Sequence, residues 1–203
     1  MTLVALLRHG EEDGAADGRR GLESRSPRGL SATGRAQAEA ARDFLASLDA
    51  PRVACSDRPR AIETATIVAA GRPVDVVPAL GGMDLGEWEG RRASELPELG
   101  RVLSDPALAP PGGESLADLA ARFRSAFLGA LPPDGDAIVV AHRMTNAVLL
   151  AELLGLPPED ACLVQQDPGS ITILARDGTR LVVQMLNLSP LDPLRTRAVT
   201  SRG

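Results

Sequence analysis

The chain has 203 residues, 44% hydrophobic and 24% charged, a size and balance that suit one globular domain with a buried core. A formal charge of -5 and a pI near 5.1 exclude general attraction to nucleic acid or an anionic membrane, so any anionic substrate must be gripped by a local cluster of cations. Lysine and tyrosine are absent, which removes Schiff-base lysines, a Walker lysine and tyrosine acids from consideration.

Met1 to Leu7 is too short for a signal peptide and lacks its basic flank, and no apolar run reaches membrane-spanning length. Cys55 and Cys162 have no metal-ligand spacing, and a domain of this size does not need a disulfide framework. A soluble, cytoplasmic protein is expected. Leu3 to Leu7 reads as a buried strand that stops at Arg8-His9-Gly10. Glu11 to Gly29 is polar and glycine-rich, a loop long enough to be functional. Ser31 caps a helix to about Leu48, with Ala38, Ala41, Phe44, Leu45 and Leu48 on its apolar face.

Arg52 to Cys55 is a second short strand, followed by a helix from near Pro59 and a third strand at Val74 to Val77. Leu80 to Gly90 carries four glycines and is irregular. After a turn at Pro110 to Ser115, Ser115 and Asp118 form a weak capping box for a helix to about Leu131. Ala137 to Ala141 is a buried strand ending at His142, and a helix follows from near Thr145 to Leu154. Strands Ser170 to Ala175 and Arg180 to Leu186 flank the turn Asp177-Gly178. This order predicts an α/β fold, a three-layer α/β/α sandwich with a mostly parallel sheet and an antiparallel C-terminal hairpin. Residues 1–190 are read as one domain without repeat or linker, and residues 191–203 as a frayed tail.

The two histidines, His9 and His142, each follow a buried strand, and ligands of open α/β sheets bind beyond the carboxyl ends of strands. Arg8 adjoins His9, and Arg60 follows the second strand closely enough to reach the same edge. Two imidazoles and two guanidiniums suit a phosphoryl group: a neutral imidazole is a competent nucleophile, guanidiniums donate to the equatorial oxygens, and a protonated second histidine adds a donor. Phosphoryl transfer needs little beyond positioning and charge.

The same residues carry a family resemblance. Leu7-Arg8-His9-Gly10-Glu11 resembles the RHGE motif of the histidine phosphatase superfamily, the phosphoglycerate-mutase-like branch 1. Leu30 to Ala38 is similar to its L-T/S-x-x-G-x-x-Q-A helix start, and Ser56 to Ala65 to S-x-x-x-R-A-x-x-T-A. Gly86 to Gly90 resembles G-x-W-E-G, Pro111 to Ser115 matches P-G-G-E-S, and Val139 to His142 resembles the strand before the second histidine. The blocks run in family order from residue 3 to about 190. The resemblance implies a phosphoglycerate-mutase-like fold, a phosphohistidine at His9, and phosphate binding by Arg8, Arg60 and His142. It implies no metal and no organic cofactor.

Three positions depart from the pattern. The glutamate that acts as general acid in the family aligns with Gly82, and its loss costs ~10² to 10⁴ in rate unless another group substitutes. Asp84 is the nearest carboxylate in sequence. After the first motif, Glu12 and Ala15 stand where the family has threonine or serine and an asparagine. An inward Glu12 opposes an anion, serves as a relocated acid, or binds a cationic substrate group. Glu12 and Asp84 therefore join Arg8, Arg60 and His142 as candidate substrate-binding residues. Arg143-Met144-Thr145-Asn146 replaces the usual glycine-rich turn, and Gln165, Gln166 and Asp167 read as a polar loop. Trp88 is read as packing, Glu114 as support for a helix N-terminus, and both cysteines as small buried hydrophobes.

The function expected is removal of phosphate from a small phosphorylated metabolite. A repurposed enzyme catalysing a non-phosphatase tailoring or isomerisation reaction is the alternative, prompted by Gly82, Glu12 and Ala15. A binding module without turnover is disfavoured by the retained histidines, and a mutase by the chain's length. No nucleic-acid or membrane partner is expected; the state of assembly stays open, a homodimer included.

Overall fold

In the computed structural model, which describes residues 2–14, 21–178 and 180–191, the first strand sets the plan. β1 (Thr2–Arg8) is buried from Val4 to Leu7. Its side chains alternate between two cores, as the period of two along a strand requires. Val4 and Leu6 join Phe123, Phe127 and Leu150, while Ala5 and Leu7 join Ala41, Leu45, Ala65 and Val68. A strand buried on both faces reads as an unbroken apolar run, which is what Leu3 to Leu7 is.

The remaining elements are α1 (Ala32–Phe44), β2 (Val53–Cys55), α2 (Pro59–Ala69), β3 (Val74–Val76), α3 (Leu99–Ser104), α4 (Leu116–Ala130), β4 (Ala137–Ala141), α5 (Arg143–Leu153), β5 (Ile171–Asp177) and β6 (Arg180–Leu188). The six strands lie in the order β3-β2-β4-β1-β5-β6. The pairs β3–β2, β2–β4 and β4–β1 are parallel. β5 runs antiparallel to β1, and β6 antiparallel to β5. Helices α1 and α2 cover one face of the sheet and α4 and α5 the other. The layers and the C-terminal hairpin are those expected; from residue 192 on, the tail lies outside the described residues.

Local chemistry sets the helix starts. Ser31 Oγ accepts the Gly34 N–H at 3.0 Å, and Ser115 and Asp118 cap α4 reciprocally. α1 stops at Phe44, sooner than its apolar pattern suggests. The Leu45 N–H still reaches Ala41, but Leu48 closes a tighter bond to Leu45. Phe44 is consequently 43% exposed, and the buried face is Gly34, Ala38, Ala41 and Leu45. α5 begins at Arg143 rather than Thr145, because the Thr145 hydroxyl accepts from the His142 backbone N–H at 3.1 Å and donates to the His142 carbonyl at 2.9 Å. α3 and a 3₁₀ turn at Pro158–Leu163 have no counterpart in the sequence reading.

Gly10 and Gly34 let the loop after β1 lie against the start of α1. A Cβ on Gly34 would fall 2.1 Å from the Glu11 carbonyl oxygen, and one on Gly10 2.4 Å from that of Gly34. The loop is tied there by Ser31 Oγ donating to Glu11 Oε1 and by the Glu11 N–H donating to Gln37 Oε1. Gly34→Ala tests this contact: helix propensity alone would stabilise α1 by about 1 kcal/mol, but overpacking against fixed backbone costs about 1–3 kcal/mol. A net loss of stability is expected in urea denaturation; a gain would show that the loop is not pinned.

Candidate active site

Three parallel strands end side by side, and each hands its next residues to one cavity of about 380 Å³. β1 delivers Arg8 and His9, β4 delivers His142, and β2 leads through Ser56 into α2, whose second residue is Arg60. Arg8, His9, Arg60 and His142 all line the cavity. The four side chains expected to converge do so.

Arg60 is the hub. Its guanidinium is buried, with the residue only 3% exposed. Nε donates to His9 Nε2 at 3.2 Å, and Nη2 lies 3.4 Å from His142 Nδ1. Nη2 also donates to the Ser24 carbonyl at 2.9 Å and Nη1 to that of Ser26 at 3.4 Å. The two imidazole rings stand 5.1 Å apart, edge to face.

These contacts settle the tautomers, since a guanidinium can only donate. His9 accepts at Nε2, so its proton sits on Nδ1 and is donated to the Gly10 carbonyl at 2.8 Å. His142 accepts at Nδ1, so its Nε2–H donates to Ser56 Oγ at 2.7 Å. Burial first, then Arg60 and Arg8, holds the His9 imidazole well below its ordinary pKa, the Gly10 bond opposing only in part. Burial likewise lowers His142, helped by His9, Arg60, Arg58 and Arg8. Both rings are neutral, so the extra donor expected from a charged His142 is absent until an anion arrives to favour that charge. Burial and Arg143 lower Arg8 to about 10, which leaves it cationic, its Nη1 donating to the Gln166 carbonyl at 2.6 Å.

Glu12 turns inward. Its side chain is 10% exposed, with Oε1 3.7 Å from Arg60 Nη1, and it lines the cavity. Asp84 does not join it. Arg25 Nη2 donates to one Asp84 oxygen at 2.6 Å and the Gly86 N–H to the other at 2.9 Å, so both oxygens are engaged in a neighbouring hollow with Arg58, Glu114 and Arg122. Glu114 is clamped by Arg122 and accepts from the Asp84 N–H. Ala15 lies outside the described residues. A Cβ at Gly82 would sit 3.6 Å from the His142 ring and 2.6 Å from Ser24 Oγ, so the position faces the second histidine and Ser24 takes up the space.

Sequence reasoning assigned no role to Ser56, Thr64 or Ser24. Ser56 holds His142; Thr64 accepts the Gly10 N–H at 3.1 Å and donates to the Arg60 carbonyl at 2.7 Å, joining the loop after β1 to α2. Both belong to the quoted Ser56 to Ala65 block, whose hydroxyls were the available signal. Ser24 carries none. Among the described residues, no group of three or more His, Cys, Asp or Glu side chains is arranged to hold a metal ion.

Comparison with known proteins agrees with this geometry. The family model of the histidine phosphatase superfamily (branch 1) matches residues 4–189. The glucosyl-3-phosphoglycerate phosphatase of Mycolicibacterium vanbaalenii is 33% identical, over 77% of this chain and 76% of its own. The "Probable phosphoglycerate mutase GpmB" of Cronobacter sakazakii is 32% identical, over 77% of each chain. Among solved structures, a mycobacterial glucosyl-3-phosphoglycerate phosphatase in complex with VO3 superposes with a TM-score of 0.78 at 29% identity, covering 92% of this chain and 99% of its own.

The neutral histidines make stability depend on pH. In the unfolded chain both imidazoles take up protons below about pH 6.5, whereas the fold holds them neutral further down. The unfolded state therefore binds more protons in that window, and stability is full above about pH 6.5 and falls as the pH drops below it. Urea midpoints at pH 7.5 and 5.5 should differ in that direction, and by less in a His9→Asn, His142→Asn double variant. An equal drop in that variant would assign the effect elsewhere.

Proposed function

We propose that the chain, which belongs to branch 1 of the histidine phosphatase superfamily, hydrolyses the phosphate ester of a small molecule through a phosphohistidine at His9. The family and the phosphatase names among its relatives favour phosphate hydrolysis over a tailoring or isomerisation reaction. The observation that carries the assignment to His9 is its neutral ring, with Nδ1–H held by Gly10 and the Nε2 lone pair turned to Arg60.

In this reading the phosphoryl group enters between His9 and Arg60, and Arg8 and Arg60 donate to its oxygens. Nε2 forms a bond to phosphorus while the ester P–O bond breaks, and the leaving group departs with the electron pair. Water then attacks the phosphohistidine, phosphate leaves, and His9 regains its lone pair. The dianion favours a proton on His142, which turns that ring from an acceptor into a donor. The chemistry draws its charge stabilisation from arginine and needs no metal. Two free cysteines, Cys55 and Cys162, fit action in a reducing cytoplasm.

Gly82 leaves the departing oxygen without the family's acid. Leaving groups that need no proton, such as aryloxides, are then the better substrates, and alkyl phosphates should be slower by about 10² to 10⁴. A panel of aryl and alkyl phosphates assayed for phosphate release, with His9→Ala as control, tests the reading. It fails if no ester is cleaved above the control. Glu12, beside Arg60, sets a negative charge against the incoming dianion. Glu12→Gln should tighten inorganic phosphate by roughly tenfold in calorimetry, the scale of one nearby charge. Weaker binding would instead make Glu12 a supporting partner of Arg60.

A further inference from the structure

The cavity has a second half that phosphate chemistry does not use. Besides the histidines and guanidiniums it is lined by Leu22, Met83, Leu85, Leu99, Leu103 and Met144, which come from the loop after β1, the segment after β3, α3 and α5. Met83 is buried, and the other five are half-buried with their remaining surface available to the cavity. Two polar side chains also line the cavity, one of them paired within the protein. Glu23 accepts from Arg28 Nη1 at 2.9 Å, and Arg143 stands exposed with Nη1 against Met144 Sδ at 3.8 Å.

We infer that the leaving group of the substrate is apolar: a hydrocarbon moiety, an aryl group above all since its oxyanion needs no acid, rather than a sugar or polyol. This rests on the phosphate-site reading above and names the chemistry of its other half. A polyhydroxylated group laid along the six carbon side chains would desolvate hydroxyls that those side chains cannot hydrogen-bond, which binding sites reject strongly. An apolar group instead covers carbon surface on both sides and releases water from each. The volume of about 380 Å³ is at the small end of ligand pockets, room for a phosphoryl group and one compact hydrocarbon.

The wall comes together because α3 and the segment after β3 pack through their own small core. Trp88, Leu96 and Val102 form it, with Leu22, Leu85 and Leu99 against them. Leu22, Leu85 and Leu99 thus belong both to that core and to the cavity lining, so the apolar surface is supported from behind.

Calorimetry with phosphonates separates this proposal from the reading beneath it, because phosphonates bind without turnover. Methyl-, propyl- and hexylphosphonate should bind with affinity rising about fourfold per methylene until the wall is covered. Propylphosphonate should bind more tightly than its 2,3-dihydroxy analogue, and Leu103→Asn should flatten the series. The series on the unaltered protein decides the question even if that variant does not fold. A flat series, or tighter binding of the dihydroxy analogue, with inorganic phosphate still bound, overturns the apolar leaving group alone. Loss of inorganic phosphate binding as well overturns the anion site itself.

Discussion

A buried guanidinium organises this molecule. Taking Arg60 out of water costs several kcal/mol, and the fold offsets that with acceptors drawn from separate parts of the chain. Two backbone carbonyls, two imidazole nitrogens and the Glu12 carboxylate face it. Each of these partners gains its position from Arg60 as much as it satisfies it. The tautomer of both histidines follows, as does the direction of the His9 lone pair. So does the path of the segment holding Ser24 and Ser26, whose carbonyls must turn inward to meet the charge.

The parallel half of the sheet is what makes such a cluster economical. β2, β4 and β1 are neighbours, their carboxyl ends coincide, and the residues that follow need no long reach to meet. This much is legible in the sequence, because each strand is a short apolar run that breaks abruptly into Arg8-His9, Ser56 or His142, and period and punctuation are local signals. The antiparallel hairpin of β5 and β6 is legible for the same reason, from two alternating runs around a glycine turn.

Other features are not local and could not be read. The exposure of Phe44 depends on a single turn tightening at the end of α1, where propensity is indifferent. α3 is too short and too mixed in composition to announce itself, yet two of its leucines line the cavity. Asp84 looks close to the centre when counted along the chain, but Arg25 and the Gly86 N–H hold it in the neighbouring hollow. Glu12 was readable as unusual; that it faces Arg60 depends on the loop being pinned between Gly10 and Gly34, a tertiary matter.

The contact between Gly82 and Ser24 also couples what each position can hold. A carboxylate side chain at position 82 would collide first with the Ser24 hydroxyl, 2.6 Å from where its Cβ would begin. Any side chain at position 82 therefore requires the Ser24 hydroxyl to turn aside, so the two positions, 58 residues apart in the chain, share one space beside the His142 ring.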